Sequence, residues 1–179
     1  MNENSFREPR LVVIVGFMGS GKTTVAQELA RHLKCAAIDL DELICEREGR
    51  TPGQIIDQNG EETFRRIETE ALYYLIAERS DDETTRIIAL GGGAWTIKTN
   101  RDLISRHQGL SVWLDVPFET CWRRIQASDS TRPLASSKEK ASTLYSVRRS
   151  VYGLATIHLV IPEAETASET ARRIPTALE

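Results

Sequence analysis

Gly16-Phe17-Met18-Gly19-Ser20-Gly21-Lys22-Thr23 has the spacing G-x-x-x-x-G-K-[ST]. Residues of these types in this order make a loop that wraps phosphate. The glycines let the backbone curl so that its N–H groups point inward at phosphate oxygens, and a helix starting at the loop's end adds its positive terminus. A lysine in the place of Lys22 reaches the β- and γ-phosphates, and a hydroxyl in the place of Thr23 ligates Mg²⁺. The flanks are those the mechanism needs: strand-like Leu11-Val12-Val13-Ile14-Val15 before the loop and a helix-like run from Thr23 to Leu33 after it.

Other chemistry-bearing residues recur at the ends of apolar runs. Asp39 and Asp41 bracket Leu40. One carboxylate can hold Mg²⁺ directly or through water, while the other takes a hydrogen bond or a proton from an attacking hydroxyl. Alternation along an extended chain turns both to one side; the competing reading is that one of them caps the next helix. Arg65, in Phe64-Arg65-Arg66-Ile67-Glu68, has the planar geometry to fork a carboxylate. Glu68 is one helical turn away and is its alternative partner. Gly91-Gly92-Gly93 follows an apolar run, where three glycines cost conformational entropy and point to close approach of backbone and ligand.

Asp115 also ends an apolar run, but it reads more simply as an acid beside the helix that Pro117 opens, because Asp39 already fills the metal role. Arg132 lies in the polar stretch Ser128 to Lys138, read as a mobile loop. An arginine there, folding over a nucleotide, would stabilise charge on a transferring phosphoryl group; the alternative is an exposed surface charge. Arg123 and Arg124, and Arg148 and Arg149, are adjacent on helices and point about 100° apart, so at most one of each pair faces a site. His32, His107 and His158 cluster with nothing and receive no catalytic role.

These residues need a scaffold that brings strand ends together. Apolar runs at Leu11 to Val15, Ala36 to Ile38, Arg86 to Leu90, Leu110 to Leu114 and Ile157 to Ile161 alternate with helix-like segments. Among those segments, Thr51-Pro52 is an N-cap followed by a first-turn proline, a long helix runs from about Glu61 to Glu78, and another runs from about Glu139 to Tyr152. Five strands alternating with helices give an α/β fold, a parallel sheet covered on both faces, which binds ligands beyond the carboxyl ends of its strands. The 179 residues form one domain from residue 11 to 179 after a loose polar tail, residues 1 to 10. A net charge of −3 gives no reason to expect nucleic acid or an anionic membrane as partner, and no apolar stretch reaches membrane-spanning length. Cys35, Cys45 and Cys121 lack any zinc or disulfide spacing, which fits a reducing cytoplasm.

Together these residues resemble the shikimate kinase family. The resemblance runs from about Leu11 to Ile174. It rests on Gly16 through Thr24, Asp39-Leu40-Asp41, Gly60-Glu61-Glu62-Thr63-Phe64-Arg65-Arg66-Ile67-Glu68, Gly91-Gly92-Gly93, Arg132-Pro133-Leu134, and Arg148 four residues before Tyr152. It implies a P-loop kinase fold like that of nucleoside monophosphate kinases, with strand order 2-3-1-4-5 and a lid at about 128–138. It implies transfer of the γ-phosphate of ATP to the 3-hydroxyl of shikimate, in chorismate and aromatic amino-acid biosynthesis, by a cytoplasmic monomer that uses Mg²⁺.

The same resemblance assigns residues. Gly19, Ser20, Gly21, Lys22, Thr23 and Thr24 hold the nucleotide, with Arg124 beside the adenine and Arg132 in the lid. Thr23 and Asp39 serve the metal. Asp41, Arg65, Arg148 and the backbone of Gly91, Gly92 and Gly93 hold shikimate, the arginines by its carboxylate. Lys22, Asp41 as candidate base, and Arg132 carry catalysis. The chain departs from the family pattern at Thr156, at Arg149-Ser150-Val151, and at Ala135-Ser136-Ser137, none of which is assigned to chemistry. A kinase for gluconate or a nucleotide would lack the Arg65 and Arg148 fork. A nucleotide-dependent switch would leave Asp41, Arg65 and Arg148 without a task.

Overall fold

Every residue of Leu11–Val15 (β1) is buried, as a central strand covered on both faces requires. It pairs in parallel with Arg86–Ala89 (β3) on one side and Leu110–Asp115 (β4) on the other. Ala36–Asp39 (β2) completes the β3 edge, and Ile157–Val160 (β5) the β4 edge. The sheet order is β2-β3-β1-β4-β5. This computed structural model describes residues 11–78, 85–128 and 136–176.

The helices follow in chain order: Lys22–Leu33 (α1), Leu40–Glu48 (α2), Pro52–Asn59 (α3), Glu61–Tyr73 (α4), Lys98–Arg106 (α5), Phe118–Gln126 (α6), Lys138–Tyr152 (α7) and Ala167–Thr176 (α8). The core is apolar side chains between sheet and helices, with Val13, Ile14, Leu29, Leu40, Ile44, Leu72, Ile87 and Val112 among the fully buried. α1 packs on α8, and α4 packs on α2, α3 and α5.

The long helix expected from Glu61 to Glu78 is α4 continued by a π-helical turn, Tyr74–Glu78. Arg86 Nη1 donates to Leu75 O at 2.7 Å, tying this turn to the start of β3. The polar stretch expected as a lid ends one residue early, because Ser137 accepts from Lys140 N and caps α7, placing Lys138 inside the helix. Residues 129–135 of that stretch lie outside the described residues, as does the tail at 1–10.

α3 begins with a capping box, a reciprocal exchange in which Gln54 N donates to Thr51 Oγ1 at 3.2 Å and Thr51 N to Gln54 Oε1 at 2.8 Å. Since α3 packs on α4, which carries Arg65, this cap supports the site at one remove. Thr51→Ala is expected to lower unfolding stability by about 1 kcal/mol, read as a lower urea midpoint at constant slope. An unchanged midpoint would contradict the role of the cap.

Candidate active site

The phosphate loop leaves β1 and turns into α1 through Gly19 (φ 77°) and Gly21 (φ 88°), left-handed positions open to glycine at little cost. A methyl group on Gly19 would lie 2.6 Å from Cys121 O, so α6 packs directly on the loop. Arg124, from the same helix, donates through Nη1 to Gly19 O at 3.2 Å. Its neighbour Arg123 turns away to Glu163, the divergence that adjacent helical positions impose. Lys22 Nζ donates to Phe17 O at 3.0 Å, which folds the ammonium back over its own loop. Ser20 Oγ is buried in the loop without a hydrogen-bond partner among the described residues.

Thr23 Oγ1 donates to Asp39 Oδ2 at 2.5 Å, so two hard oxygen donors from β2 and α1 meet beside the loop. The other oxygen, Asp39 Oδ1, accepts from Asp41 N at 2.9 Å and Glu42 N at 3.3 Å. Asp39 is therefore the cap of α2 and the acceptor for Thr23 at once. The expected reason for pairing Asp39 with Asp41 does not hold. Asp39 ends the strand and Asp41 is already in the first turn of α2, so strand alternation does not orient it.

Room for the Asp41 side chain comes from the glycine triplet after β3. A methyl on Gly91 would lie 2.6 Å from Asp41 Oδ1 and 2.6 Å from Glu68 Oε1. A methyl on Gly93 would collide with the Arg65 guanidinium, its Cζ at 2.5 Å. Beyond Gly92 a methyl would meet Arg148 Nη1 at 3.5 Å and the phosphate loop's Met18 N at 3.4 Å. Three consecutive residues without side chains thus let Asp41 from α2, Arg65 and Glu68 from α4, and Arg148 from α7 converge beside the phosphate loop. The negative φ of these glycines shows that the demand is for space rather than for a left-handed turn.

Arg65 donates from Nε and Nη2 to Glu61 Oε1, at 3.2 and 2.9 Å, and from Nη1 to Glu68 Oε2 at 2.8 Å. Glu68 is wholly buried, and its Oε1 has no hydrogen-bond partner among the described residues. Burial pushes the Glu68 carboxyl up to about 7; Arg65 opposes this, and the nearby Asp41 charge adds to it. Arg148 is buried, and Tyr152 on the same helix donates from Oη to Gly92 O at 2.5 Å. Burial pushes the Tyr152 phenol up to about 12, so it stays a donor.

Sequence reasoning left Glu68 only as a partner for Arg65 and gave Tyr152 no role. The signal for Tyr152 was its position one turn beyond Arg148. Asp115 stands two residues before Pro117, as expected, but gives α6 no side-chain cap. Its carboxylate accepts from Arg149 and His158. His158 is accordingly not isolated: β5 pairs His158 with Trp113 of β4, and their rings stack with centroids 4.1 Å apart. Arg132 lies outside the described residues. Among the described residues no group of three or more His, Cys, Asp or Glu forms a metal cluster, and no helix is long and apolar enough to cross a membrane.

Comparison with known proteins gives a consistent answer. Residues 18–179 match the family model of shikimate kinase. The shikimate kinase of Nostoc punctiforme is 39% identical over 164 residues, covering 90% of this chain and 86% of its own. That of Moorella thermoacetica is 37% identical over 173 residues, covering 96% and 95%. Among solved structures, shikimate kinase from Acinetobacter baumannii in complex with shikimate is similar at a TM-score of 0.85 and 30% identity, over 98% of this chain and 96% of that one. A gluconokinase from Sinorhizobium meliloti shares the fold at a TM-score of 0.59 and 16% identity.

Two outcomes follow from the packing around Gly91. Gly91→Ala forces a methyl against two carboxylates and is expected to cost about 1–3 kcal/mol, together with most of the activity; normal unfolding and turnover would contradict the crowding. A carboxyl whose folded value exceeds its unfolded one stabilises the fold fully at pH below the unfolded value and loses that contribution as pH rises through the folded value. For Glu68 this window runs from 4.5 to about 7. The stability of the parent relative to Glu68→Gln is therefore expected to fall across it in denaturant titrations at several pH values. A difference independent of pH would contradict the burial of an ionisable Glu68.

Proposed function

The chain belongs to the shikimate kinase family, and from that premise we propose a division of labour among its residues. The protein is an ATP-dependent kinase that moves the γ-phosphate of ATP to the 3-hydroxyl of shikimate, giving shikimate 3-phosphate and ADP in aromatic amino-acid biosynthesis. The observation that carries the assignment of residues is the meeting of Asp41, Arg65 and Arg148 at Gly91–Gly93, with Gly92 in contact range of the phosphate loop.

On this reading Arg65 and Arg148 hold the acceptor's carboxylate from α4 and α7. The bonds of Arg65 to Glu61 and Glu68 use three of the five N–H groups of its guanidinium. Asp41 takes a hydrogen bond from the acceptor hydroxyl and is positioned to receive its proton as the oxygen attacks phosphorus. The loop backbone from Gly19 to Thr24 cradles the phosphates, Lys22 leaves Phe17 O to meet them, and Arg124 flanks the nucleotide. Arg132, outside the described residues, would stabilise charge on the transferring phosphoryl group. Little covalent chemistry is asked of side chains; alignment and charge stabilisation supply the rate.

Thr23 and Asp39 present paired oxygens of the hard type that Mg²⁺ selects, so they fit the ion that ATP-using kinases carry. When bound, it would neutralise phosphate charge during transfer. The proposed compartment is the cytoplasm, in keeping with cysteines whose sequence spacing fits neither zinc nor a disulfide framework.

Two variants test the roles. Lys22→Ala is expected to lower shikimate-dependent ADP release by about 10²–10³-fold or more, the loss seen when a transition-state contact is removed; near-normal turnover would overturn the nucleotide assignment. Asp41→Asn keeps shape and removes charge. It should remain folded, bind ADP in calorimetry and lose most turnover. Full turnover would leave Asp41 as a residue of the first helical turn and nothing more.

A further inference from the structure

The Asp115 cluster lies outside the machinery assigned above, and its geometry is that of a clamp. Asp115 is at the carboxyl end of β4 and only 6% exposed. It accepts from Arg149 Nε at Oδ1 (3.3 Å) and from Arg149 Nη2 at Oδ2 (2.6 Å), a two-pronged grip. His158 Nε2 lies 2.9 Å from Oδ2 as a third group on the same carboxylate. Two residues back on β4, the Trp113 ring stacks on His158, and the Arg149 guanidinium lies over it at 5.7 Å. Burial pushes the Asp115 carboxyl up, and the hydrogen bonds of Arg149 and His158 more than reverse this. An exposed ion pair contributes little, whereas a buried carboxylate deprived of its donors is costly.

Arg149 is the residue after Arg148. On a helix the two side chains point about 100° apart, so fixing one fixes the direction of the other. Among the described residues, side-chain hydrogen bonds tie α7 to its neighbours through Lys138 Nζ to Glu119 Oε2 at 2.8 Å, Tyr145 Oη to Val116 O at 3.0 Å, Trp95 Nε1 to Val151 O at 3.0 Å, Tyr152 Oη to Gly92 O, and Arg149 to Asp115. Of these, the Arg149 pair alone is both charged and two-pronged, and it adjoins Arg148. A two-pronged grip resists rotation of the helix about its axis as well as sliding along it.

We propose that Asp115 is a positioning residue for acceptor capture: by clamping Arg149 to the end of β4, with His158 as second partner, it sets the rotation of α7 and so the place where Arg148 presents its guanidinium beside Gly92. This rests on the reading of Arg148 as a carboxylate-binding group. Asp115 touches neither substrate in this account and acts through Arg149 and the helix.

Steady-state kinetics on Asp115→Asn, Arg149→Gln, the double variant and Arg148→Ala decide the matter. Asp115→Asn and Arg149→Gln should each raise the KM for shikimate by about 2- to 30-fold, the range for residues that modulate a site without touching the ligand, with the KM for ATP unchanged. The double variant should be no worse than either single one, because both remove the same contact. Arg149 is half-exposed, so Arg149→Gln tests the clamp even if Asp115→Asn does not fold. The proposal is overturned if Arg149→Gln, folded by circular dichroism, leaves the shikimate KM at the parent value while Arg148→Ala raises it; Arg148 then binds the acceptor without help from the clamp. It is equally overturned if both KM values rise together, the mark of general loosening. If Arg148→Ala itself leaves the shikimate KM unchanged, the carboxylate reading fails and the clamp's function falls with it.

Discussion

Glu68 is a carboxylate taken wholly out of water, and a charge so placed has to be answered by other charges. Arg65 answers it at 2.8 Å from the next turn of the same helix. Asp41 opposes it, and Arg148 offsets it from α7. These groups come from three helices, and they can meet only because Gly91 and Gly93 have no side chains in the space they occupy. The site is therefore a set of buried and part-buried ionisable groups that offset one another before any substrate arrives, and the arginines are already in place rather than waiting in solvent. Preorganisation of this kind lowers the cost of binding and aligning an anionic acceptor.

The sheet topology explains why those charges lie beside the phosphate loop. β1 lies between β3 and β4, so the loop after β1 and the glycines after β3 are neighbours. β2 lies on the far side of β3, which brings Asp39 and the first turn of α2 to the same edge of the sheet. All strands are parallel, so every one of these segments emerges at the same end. α7 then crosses from the Asp115 end of β4 to Gly92, carrying Arg148 between Tyr145 and Tyr152.

Much of this was legible in the residues. The phosphate loop, the five strands and the Thr51 cap are local patterns, and local patterns survive folding. Arg148 and Arg149 were predicted to diverge, and they do, one toward Gly92 and one to Asp115. What escaped was pairing across the sheet. That His158 lies beside Trp113, and within reach of Asp115, depends on the register of β5 against β4, which no short-range pattern encodes. The glycine triplet was read as space for ligand, and part of its use is to make room for protein side chains. Glu68 was read only as a partner for Arg65, because its burial depends on what packs over α4. Asp41 stands beside Gly91, but strand alternation does not put it there, since α2 begins one residue after the strand ends.

The central claim is that the charged set at Gly91–Gly93 selects an acceptor by its carboxylate. The most direct measurement compares shikimate with its methyl ester as acceptors for the unmodified protein, by ADP release at saturating ATP. The ester keeps the ring and all hydroxyls and removes only the negative charge. A site built around Arg65 and Arg148 should discriminate against it by about 10²-fold or more in kcat/KM, because one buried and one part-buried guanidinium lose a partner. Equal kcat/KM for acid and ester would contradict the account.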